Sequence, residues 1–209
     1  MDGLLIDSEP LWQEAGQEVL SQYNIQLTDE QYHSSTGLRT PEWIDNWFSY
    51  YHIDKINAPQ AIERIEETAL QKIRQSGQIM PGVEYIMDFF QQKNFRIGIA
   101  SSSPMRLINV VVDKLNIRSY LHAITSAESL AYGKPHPQVF INCAEELSLP
   151  PTQCIVFEDS FNGLIAAKAA KMKCVVVPHH SAYNNPRWNA ADLIINSLTN
   201  FDAKILKEL

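Results

Sequence analysis

The positions of hydrophobic residues divide the chain into two parts near Met80. Between residues 11 and 79, apolar side chains recur three and four positions apart, which is the period of amphipathic helices. These side chains form three sets, and no β-rich run separates them. The sets are Leu11, Trp12, Ala15, Val19 and Leu20, then Trp43, Ile44, Trp47 and Phe48 after Pro41, then Ile62, Ile65, Ala69, Leu70 and Ile73. We therefore predict a helical unit over residues 11–79, with Trp43 and Trp47 in its core.

After Pro81 and Gly82 the pattern changes to short apolar runs that alternate with amphipathic segments. The predicted strands are residues 96–101, 123–126, 154–159, 174–178 and 192–197. The predicted helices between them are residues 83–90, 107–115, 139–147 and 163–172. Such an alternation indicates a parallel sheet with helices on both faces. We expect an α/β protein whose doubly wound, Rossmann-like core comprises residues 1–10 and 80–209, with the helical unit inserted as a small cap.

Composition and charge restrict the class of protein and of partner. Hydrophobic residues make up 45% and charged residues 20% of the 209 residues, which is typical of a folded globular protein. The net charge of -7 argues against a nucleic-acid partner, because phosphate backbones are bound by an excess of Lys and Arg. No apolar run has the ~20 residues of a membrane span, and the segment MDGLLIDSEP carries acid where a secretory signal carries Lys or Arg. We expect a cytoplasmic protein with Cys143, Cys154 and Cys174 as free thiols.

Three serines end the first strand of the predicted sheet. Ligands of doubly wound proteins bind beyond the carboxyl ends of the strands, where Ser101, Ser102 and Ser103 lie. A hydroxyl beside a helix N-terminus suits a phosphate oxygen. Capping of the next helix by Ser103 is the alternative that this segment alone favours.

Two adjacent carboxylates, Glu158 and Asp159, end a later strand. Like charges repel where a buried strand emerges, and Mg²⁺ would relieve that repulsion. Capping of the next helix by Asp159 or Ser160, with Glu158 in solvent, fits the same residues equally well. Lys134, in a loop, has no local feature that separates it from a solvated lysine.

Together and in this order, these segments resemble the motifs of the haloacid dehalogenase superfamily. The matches are Met1-Asp2-Gly3 with the last three positions of its D-x-D-G motif, Ser101 with the second motif, Lys134 in GKPHP with the third, and Glu158-Asp159-Ser160 with Asn162-Gly163 for the fourth. LLIDSEP is similar to the subgroup of sugar-phosphate phosphatases and β-phosphoglucomutases. ASSSP, YGKPHPQVF and FEDSFNG look most like bacterial 2-deoxyglucose-6-phosphate (hexitol) phosphatases. The resemblance covers the whole chain.

The resemblance implies a Mg²⁺-dependent phosphatase that acts on small phosphorylated metabolites, in particular sugar or sugar-alcohol phosphates, through an aspartyl-phosphate. By its motifs, Asp2 is the general acid and base, and Lys134 and Ser101 bind the transferring phosphoryl group. Mg²⁺ is held by the nucleophile, by Asp159 and by the backbone carbonyl of Asp2. Glu158 lies in or next to that coordination shell.

The nucleophile of the family is the first Asp of D-x-D-G, and in this numbering it would precede Met1. A doubly wound sheet without its central first strand would have two unpaired edges in its middle. We therefore expect that strand and its Asp to lie upstream of Met1 in the full-length protein. A shortened, inactive protein is the alternative.

The resemblance also implies where the substrate binds. Residues 35–39 resemble the substrate loop of the family's cap, in which Gly37 and Arg39 are the candidate substrate-binding residues. Arg39 would contact a polyol or a second anionic group of the substrate. The alternative is a turn between two helices with a solvated Arg39 side chain. Ser102 and Asn162 complete the predicted set.

Two other functions fit the same motifs, a phosphomutase and a non-catalytic binding protein. The mutases of this subgroup carry a longer polar run after the second motif, whereas Pro104 follows here, and this favours hydrolysis. We expect a small phosphorylated molecule as partner, and a monomer or weak dimer.

Overall fold

The computed structural model describes residues 1–209, apart from the side chain of Ser181. The cap is helical and consists of α1 (Glu9–Leu20), α2 (Asp29–Ser34), α3 (Thr40–Tyr50) and α4 (Ala58–Ser76). Pro10, Pro41 and Pro59 lie in the first turns of α1, α3 and α4. Proline is tolerated there because the first N–H groups of a helix have no partner within the helix.

The cap helices enclose their own hydrophobic core. Its buried side chains are Ala15, Val19, Leu20, Ile25, Trp43, Ile44, Trp47, Phe48, Ala61, Ile65 and Ala69. Trp43 lies against Gly16, where the Cβ of another residue would be 2.9 Å from the indole ring. The predicted position of Trp43 and Trp47 in the cap core is confirmed.

A short antiparallel ribbon connects the cap to the core. It consists of β1 (Ile6–Asp7) and β2 (Gln78–Ile79), with Ile6 opposite Ile79. The chain therefore leaves the core and returns to it at one place, next to Pro81, where the hydrophobic pattern of the sequence changes.

The core alternates strands and helices. Its strands are β3 (Ile97–Ser101), β4 (Leu121–Ser126), β5 (Ile155–Glu158), β6 (Lys173–Val176) and β7 (Leu193–Ile194), and its helices are α5 (Val83–Gln92), α6 (Met105–Lys114), α7 (Gln138–Glu146), α8 (Phe161–Ala169) and α9 (Ala203–Glu208). β7 is shorter than the predicted strand at residues 192–197, because Ser197 already caps a 3₁₀ turn at Leu198–Asn200. Helix α9 was not predicted.

Helices cover the strands from two sides, as the alternation predicts. One cluster of buried side chains contains Val83 and Ile86 of α5 with Leu107 and Ile108 of α6. A second cluster is built on α7 and α8 and includes Phe140. The two clusters are the two hydrophobic layers of a doubly wound core.

The strands form two separate parallel groups, β3–β4 and β5–β6–β7. Between the free edges of β3 and β5 lies an apolar cavity of about 210 Å³, which we call the interstrand slot. Residues 96–100 line one side of it and residues 153–158 the other, with Met1 also in its lining. The two unpaired edges that the sequence predicts in the middle of the sheet are present.

Two smaller expectations concern membranes and thiols. Among the described residues, no helix is long and apolar enough to cross a membrane. Cys143, Cys154 and Cys174 are free, as predicted. Burial raises the pKa of Cys143 to about 11 and that of Cys174 further, so neither thiol is a reactive thiolate at neutral pH.

Candidate active site

A cavity of about 110 Å³ lies between the cap and the carboxyl ends of β3 and β5. The residues that line it come from both the cap and the core. They are Met1, Asp2, Glu9, Trp12, Gly16, Tyr32, Ser35, Thr36, Gly37, Leu38, Thr40, Trp43, Ile65, Ser101, Ser102, Ser103, Lys134, Glu158, Asp159 and Ser160. Most of the predicted site residues are therefore brought together. Within the described structure, Arg39 and Asn162 are not part of this lining.

The Asp2 carboxylate is held by hydrogen bonds from both the cap and the core. Its Oδ1 accepts from Ser8 Oγ at 2.7 Å and from Trp12 Nε1 at 3.0 Å, and its Oδ2 accepts from Ser103 Oγ at 2.8 Å. Trp12 belongs to α1 of the cap, whereas Ser103 follows β3 of the core. The carboxylate is thus fixed where the cap meets the core. None of its three donors was predicted, because in the sequence each has the pattern of a core or turn residue.

Lys134 is buried, with 5% of its side chain exposed, unlike an ordinary loop lysine. Its ammonium group contacts the Glu158 carboxylate, donates to the Ala100 carbonyl at 3.4 Å and lies 4.6 Å from the centre of the Phe140 ring. Burial acts to raise the pKa of Glu158, but the charge and hydrogen bond of Lys134 outweigh it and the pKa is lowered. An ammonium group has three N–H donors, so one is left for a ligand in the cavity.

The Glu158 carboxylate lies beneath the first turn of α8. Its Oε2 accepts from the backbone N–H groups of Asp159 and Ser160, at 3.2 Å each. Ser160 Oγ accepts from Gly163 N–H at 3.0 Å and is the N-cap of α8. Any Cβ at Gly163 would lie 2.1 Å from the carboxyl carbon of Glu158. Of the capping alternatives, Ser160 is therefore the cap, and Glu158 is buried rather than in solvent.

The Asp159 carboxylate lies against the backbone of Gly3. A Cβ at Gly3, whose φ is +64°, would be 2.3 Å from Asp159 Oδ2. Burial, followed by the charge of Glu158, raises the pKa of Asp159 to about 7. Among the residues that the structure describes, no donor is bonded to this carboxylate or to the Asp2 carbonyl oxygen. Two oxygen ligands without partners are thus available at one end of the cavity.

This set of oxygen atoms fits Mg²⁺. That ion uses one or two carboxylates and completes its coordination with water and substrate oxygens. Among the side chains that the structure describes, no group of three or more His, Cys, Asp or Glu residues is arranged to hold a metal ion. Asp159 and the Asp2 carbonyl are the groups that could hold Mg²⁺, while the Glu158 carboxylate is bonded to Lys134 and Ser160.

The serine that ends β3 and the two serines that follow it have separate contacts. Ser101, which is 4% exposed, accepts from the backbone N–H of Ser103 at 3.1 Å. Ser102 donates to the cap, and Ser103 donates to Asp2. The N-cap position of α6 is occupied by Pro104 without a side-chain hydrogen bond. The favoured alternative, in which Ser103 caps that helix, is wrong because its hydroxyl instead holds Asp2.

The cap loop at residues 35–39 is bonded to the core. Gly37 has a φ of +89°, a region that favours glycine, and its carbonyl accepts from Ser102 Oγ at 2.9 Å. Asn162 Nδ2 donates to the Thr36 carbonyl at 2.9 Å. In this arrangement, the residues predicted to bind substrate hold the cap loop against the core.

Arg39 also connects the cap to the core. Its guanidinium donates to the carbonyls of Ala127 at 3.1 Å and Leu130 at 2.6 Å, and forms an ion pair with Glu42 at 2.6 Å. Burial acts to raise the pKa of Glu42, but the hydrogen bond from Arg39 outweighs it and the pKa is lowered. The cap is thereby attached to the loop that precedes Lys134.

Glu9 lines the cavity from the first turn of α1 and was not predicted as a site residue. Burial, followed by the charges of Asp159 and Asp2, raises the pKa of Glu9 to about 8. An acidic residue beside Pro10 at the start of a helix is explained by the helix dipole alone. The sequence therefore contains no separate signal for it.

Comparison with protein families decides the class of this site. The family model of haloacid dehalogenase-like hydrolases matches residues 1–177. The chain belongs to this family. Hexitol phosphatase B of Escherichia coli (strain K12) is 37% identical over 207 residues, which cover 99% of this chain and 93% of that protein. Fructose-1-phosphate phosphatase YqaB of the same strain is 30% identical over 182 residues, or 85% of this chain and 93% of that protein.

Solved structures show the same fold. A β-phosphoglucomutase from Clostridium difficile superimposes with a TM-score of 0.87 at 23% identity, covering 99% of this chain and 92% of that one. A hydrolase from Pseudomonas syringae gives a TM-score of 0.86 at 21% identity, covering 100% of this chain and 95% of that one. The predicted family, the doubly wound fold with a helical cap, and the class of enzyme, a phosphatase of this hydrolase family, are confirmed.

Proposed function

We propose that this phosphatase is Mg²⁺-dependent and removes phosphate from a sugar or sugar-alcohol monophosphate through an aspartyl-phosphate. The observation that carries the proposal is the convergence of Asp2, Lys134 and Asp159 on one cavity beneath the cap. The relatives that are named for hexitol and fructose 1-phosphate support this substrate class.

Lys134 and Ser101 bind the phosphoryl group in this proposal. Lys134 has one N–H donor left after its contacts with Glu158 and Ala100. Because Lys134 is buried and paired, its charge is positioned before substrate binds. A charge that needs no rearrangement stabilises a transition state more effectively than a mobile one.

Asp2 transfers protons in both half-reactions. It gives a proton to the leaving alkoxide and later takes one from the attacking water. Ser8, Trp12 and Ser103 orient its carboxylate. Since Trp12 is a cap residue, the full set of bonds requires the cap to lie over the cavity, which also excludes water from the first transfer.

Asp159 and the Asp2 carbonyl oxygen are the proposed Mg²⁺ ligands. When bound, the ion would neutralise charge on the phosphoryl oxygens. Glu158 would act beside it, by holding Lys134 and the first turn of α8 in place.

The attacking carboxylate is proposed to come from an extended segment in the interstrand slot. β3 and β5 each have a free edge there, and the apolar lining suits a strand buried on both faces. A strand parallel to them would end near Met1, which lines both the slot and the active-site cavity. An Asp at that end would attack phosphorus and release the alcohol.

The proposal is tested by comparing two leaving groups in Asp2→Asn, made in a form of the chain that carries the slot strand. Glucitol 6-phosphate needs its alkoxide protonated, so phosphate release should fall by roughly 10²-fold or more. An aryl phosphate such as 4-nitrophenyl phosphate needs less protonation and should lose much less. Asp7→Asn, at an exposed position of the same segment, is the control. Equal losses on both esters, or none, would remove Asp2 from this role.

A further inference from the structure

The cap contributes several side chains with a polar atom to the lining of the active-site cavity. They are Glu9, Trp12, Tyr32, Ser35, Thr36 and Thr40. Trp12 donates its indole N–H to Asp2 at 3.0 Å. Ser35 Oγ donates to a backbone carbonyl of α2 at 3.0 Å, and Thr40 is hydrogen-bonded to Glu66. The donors of Trp12, Ser35 and Thr40 are therefore already used within the protein.

Two more of these side chains do not face the carbon chain of a bound ester. The Cγ of Glu9 is 3.5 Å from where a Cβ of Gly3 would stand, which places Glu9 at the phosphate end of the cavity. Thr36 Oγ1 is buried away from solvent, so a ligand in the cavity does not reach it in this arrangement. Among the described cap residues of the lining, Tyr32 is left as a hydrogen-bonding group for the alcohol part of the substrate.

The phenol of Tyr32 is positioned but only weakly bonded. Its oxygen is 3.5 Å from the Glu9 carbonyl oxygen, which is longer than the ~2.7–2.8 Å of an ordinary O–H···O bond. Its ring packs edge to face against Trp43, with 6.3 Å between the ring centres. Burial, followed by the charges of Glu9 and Asp2, raises the pKa of Tyr32 well above its usual value. The phenol therefore keeps its proton at neutral pH and can donate it in a hydrogen bond.

The phenol lies on the side of the cavity where the leaving oxygen is expected. It sits beside the backbone of Glu9, and the residues on either side of Glu9 include Ser8 and Trp12, which both donate to the Asp2 carboxylate. Asp2 is the proposed proton donor to the leaving alkoxide. A group next to Asp2 on the cap side therefore meets the first carbons of the alcohol rather than its far end.

We propose that Tyr32 determines specificity, by hydrogen-bonding to the oxygen on the carbon next to the phosphate ester. A phenol both donates and accepts, so this oxygen can be a hydroxyl of a polyol or a ring oxygen of a sugar. The preferred substrates are then esters with an oxygen at that carbon, and simple alkyl phosphates are poorer ones. This inference rests on the proposed function, since it concerns the same cavity, and it adds the residue that reads the alcohol.

The test compares two esters that differ in one hydroxyl group. Glycerol 1-phosphate has a hydroxyl on the carbon next to the ester, whereas 3-hydroxypropyl phosphate has only the terminal one. The value of kcat/KM for each is measured with Mg²⁺ in the form of the chain that carries the slot strand, and in its Tyr32→Phe and Tyr51→Phe variants. Tyr51 is the matched control, because its phenol bonds to Gln31 within the cap and is not part of the cavity lining.

We expect the unsubstituted form and Tyr51→Phe to prefer glycerol 1-phosphate. In Tyr32→Phe this preference should fall by roughly threefold to tenfold, the range for loss of one hydrogen bond between neutral groups. The fall should come from slower turnover of glycerol 1-phosphate, while 3-hydroxypropyl phosphate and 4-nitrophenyl phosphate are hydrolysed at near-normal rates. The Tm should stay unchanged, since the aromatic ring remains.

An unchanged preference in Tyr32→Phe would overturn the inference, as would an unsubstituted form without any preference between the two esters. Equal losses on all three esters would also overturn it, because Tyr32 would then act through Asp2 and not on the alcohol. These results differ from failure of the proposed function, in which the unsubstituted form would release phosphate from none of the esters.

Discussion

Gly163→Ala tests the packing of the site, because it should destabilise the folded protein, whereas a change from Gly to Ala within a helix usually stabilises it. In a helix, Ala is more stable than Gly by about 0.5–1 kcal/mol. At this position, however, the new Cβ would lie 2.1, 2.2 and 2.4 Å from the three carboxyl atoms of Glu158. The Glu158 side chain must therefore move away from the first turn of α8.

The cost follows from the bonds that this movement breaks. The carboxylate accepts from Ser160 N–H at 3.2 Å and Ser160 Oγ at 3.0 Å, and it is paired with Lys134. Losing one hydrogen bond to a charged group costs about 1.5–3 kcal/mol, and overpacking costs about 1–3 kcal/mol. After the gain in helix propensity, we expect a net loss of about 2–5 kcal/mol, which lowers Tm by about 4–20 °C in a protein of this length.

Thermal melting of a double-mutant cycle isolates the clash. In a Glu158→Ala background the obstructing carboxyl group is absent, so Gly163→Ala should be neutral or stabilising there. The same destabilisation in both backgrounds would refute the argument, because the clash with Glu158 would then not be its cause.

Three further predictions concern the metal, pH and the cap. Asp159→Asn should abolish Mg²⁺ binding measured by calorimetry without lowering Tm, because Ser160 and not Asp159 caps α8; near-normal Mg²⁺ affinity would contradict the proposed site. Without metal, Tm should rise as pH is lowered from about 9 to about 6. The pKa of Glu9 is raised to about 8 and that of Asp159 to about 7, so the folded state takes up protons in this range that the unfolded chain does not. A flat profile, or a Tm that falls towards pH 6, would contradict this. In the form of the chain that carries the slot strand, Arg39→Ala should raise the KM of a sugar phosphate roughly tenfold while leaving hydrolysis of an aryl phosphate near normal, because it loses cap–core hydrogen bonds. A uniform loss on both substrates would contradict this.

Local patterns in the sequence were sufficient to predict most of the core. The strand predicted at residues 154–159 is β5 (Ile155–Glu158), and the helix predicted at residues 139–147 is α7 (Gln138–Glu146). Both are determined by side chains close together in sequence, through their periodicity and strong apolar character. The end of β7 was less predictable, because a local cap at Ser197 shortens it.

The contacts of the site residues were less predictable, because they join distant parts of the chain. Lys134 has the sequence pattern of a solvated loop lysine, yet it is buried against Glu158. Ser103 has the pattern of a helix cap, yet it holds Asp2 from the far end of the sequence. Arg39 lies in a loop that resembles the substrate loop of the family, yet its hydrogen-bond partners lie in a loop of the core. No periodicity specifies such pairs.

Phosphate release from a hexitol phosphate tests the central claim, that the cavity beneath the cap is a phosphatase site whose attacking carboxylate comes from the interstrand slot. Two forms are compared with Mg²⁺ present, the 209-residue chain and the same chain extended before Met1 by an apolar strand that ends in Asp. We predict release by the extended form only, together with a higher Tm, since the added strand pairs with both β3 and β5. Equal release and equal melting of the two forms would contradict the account.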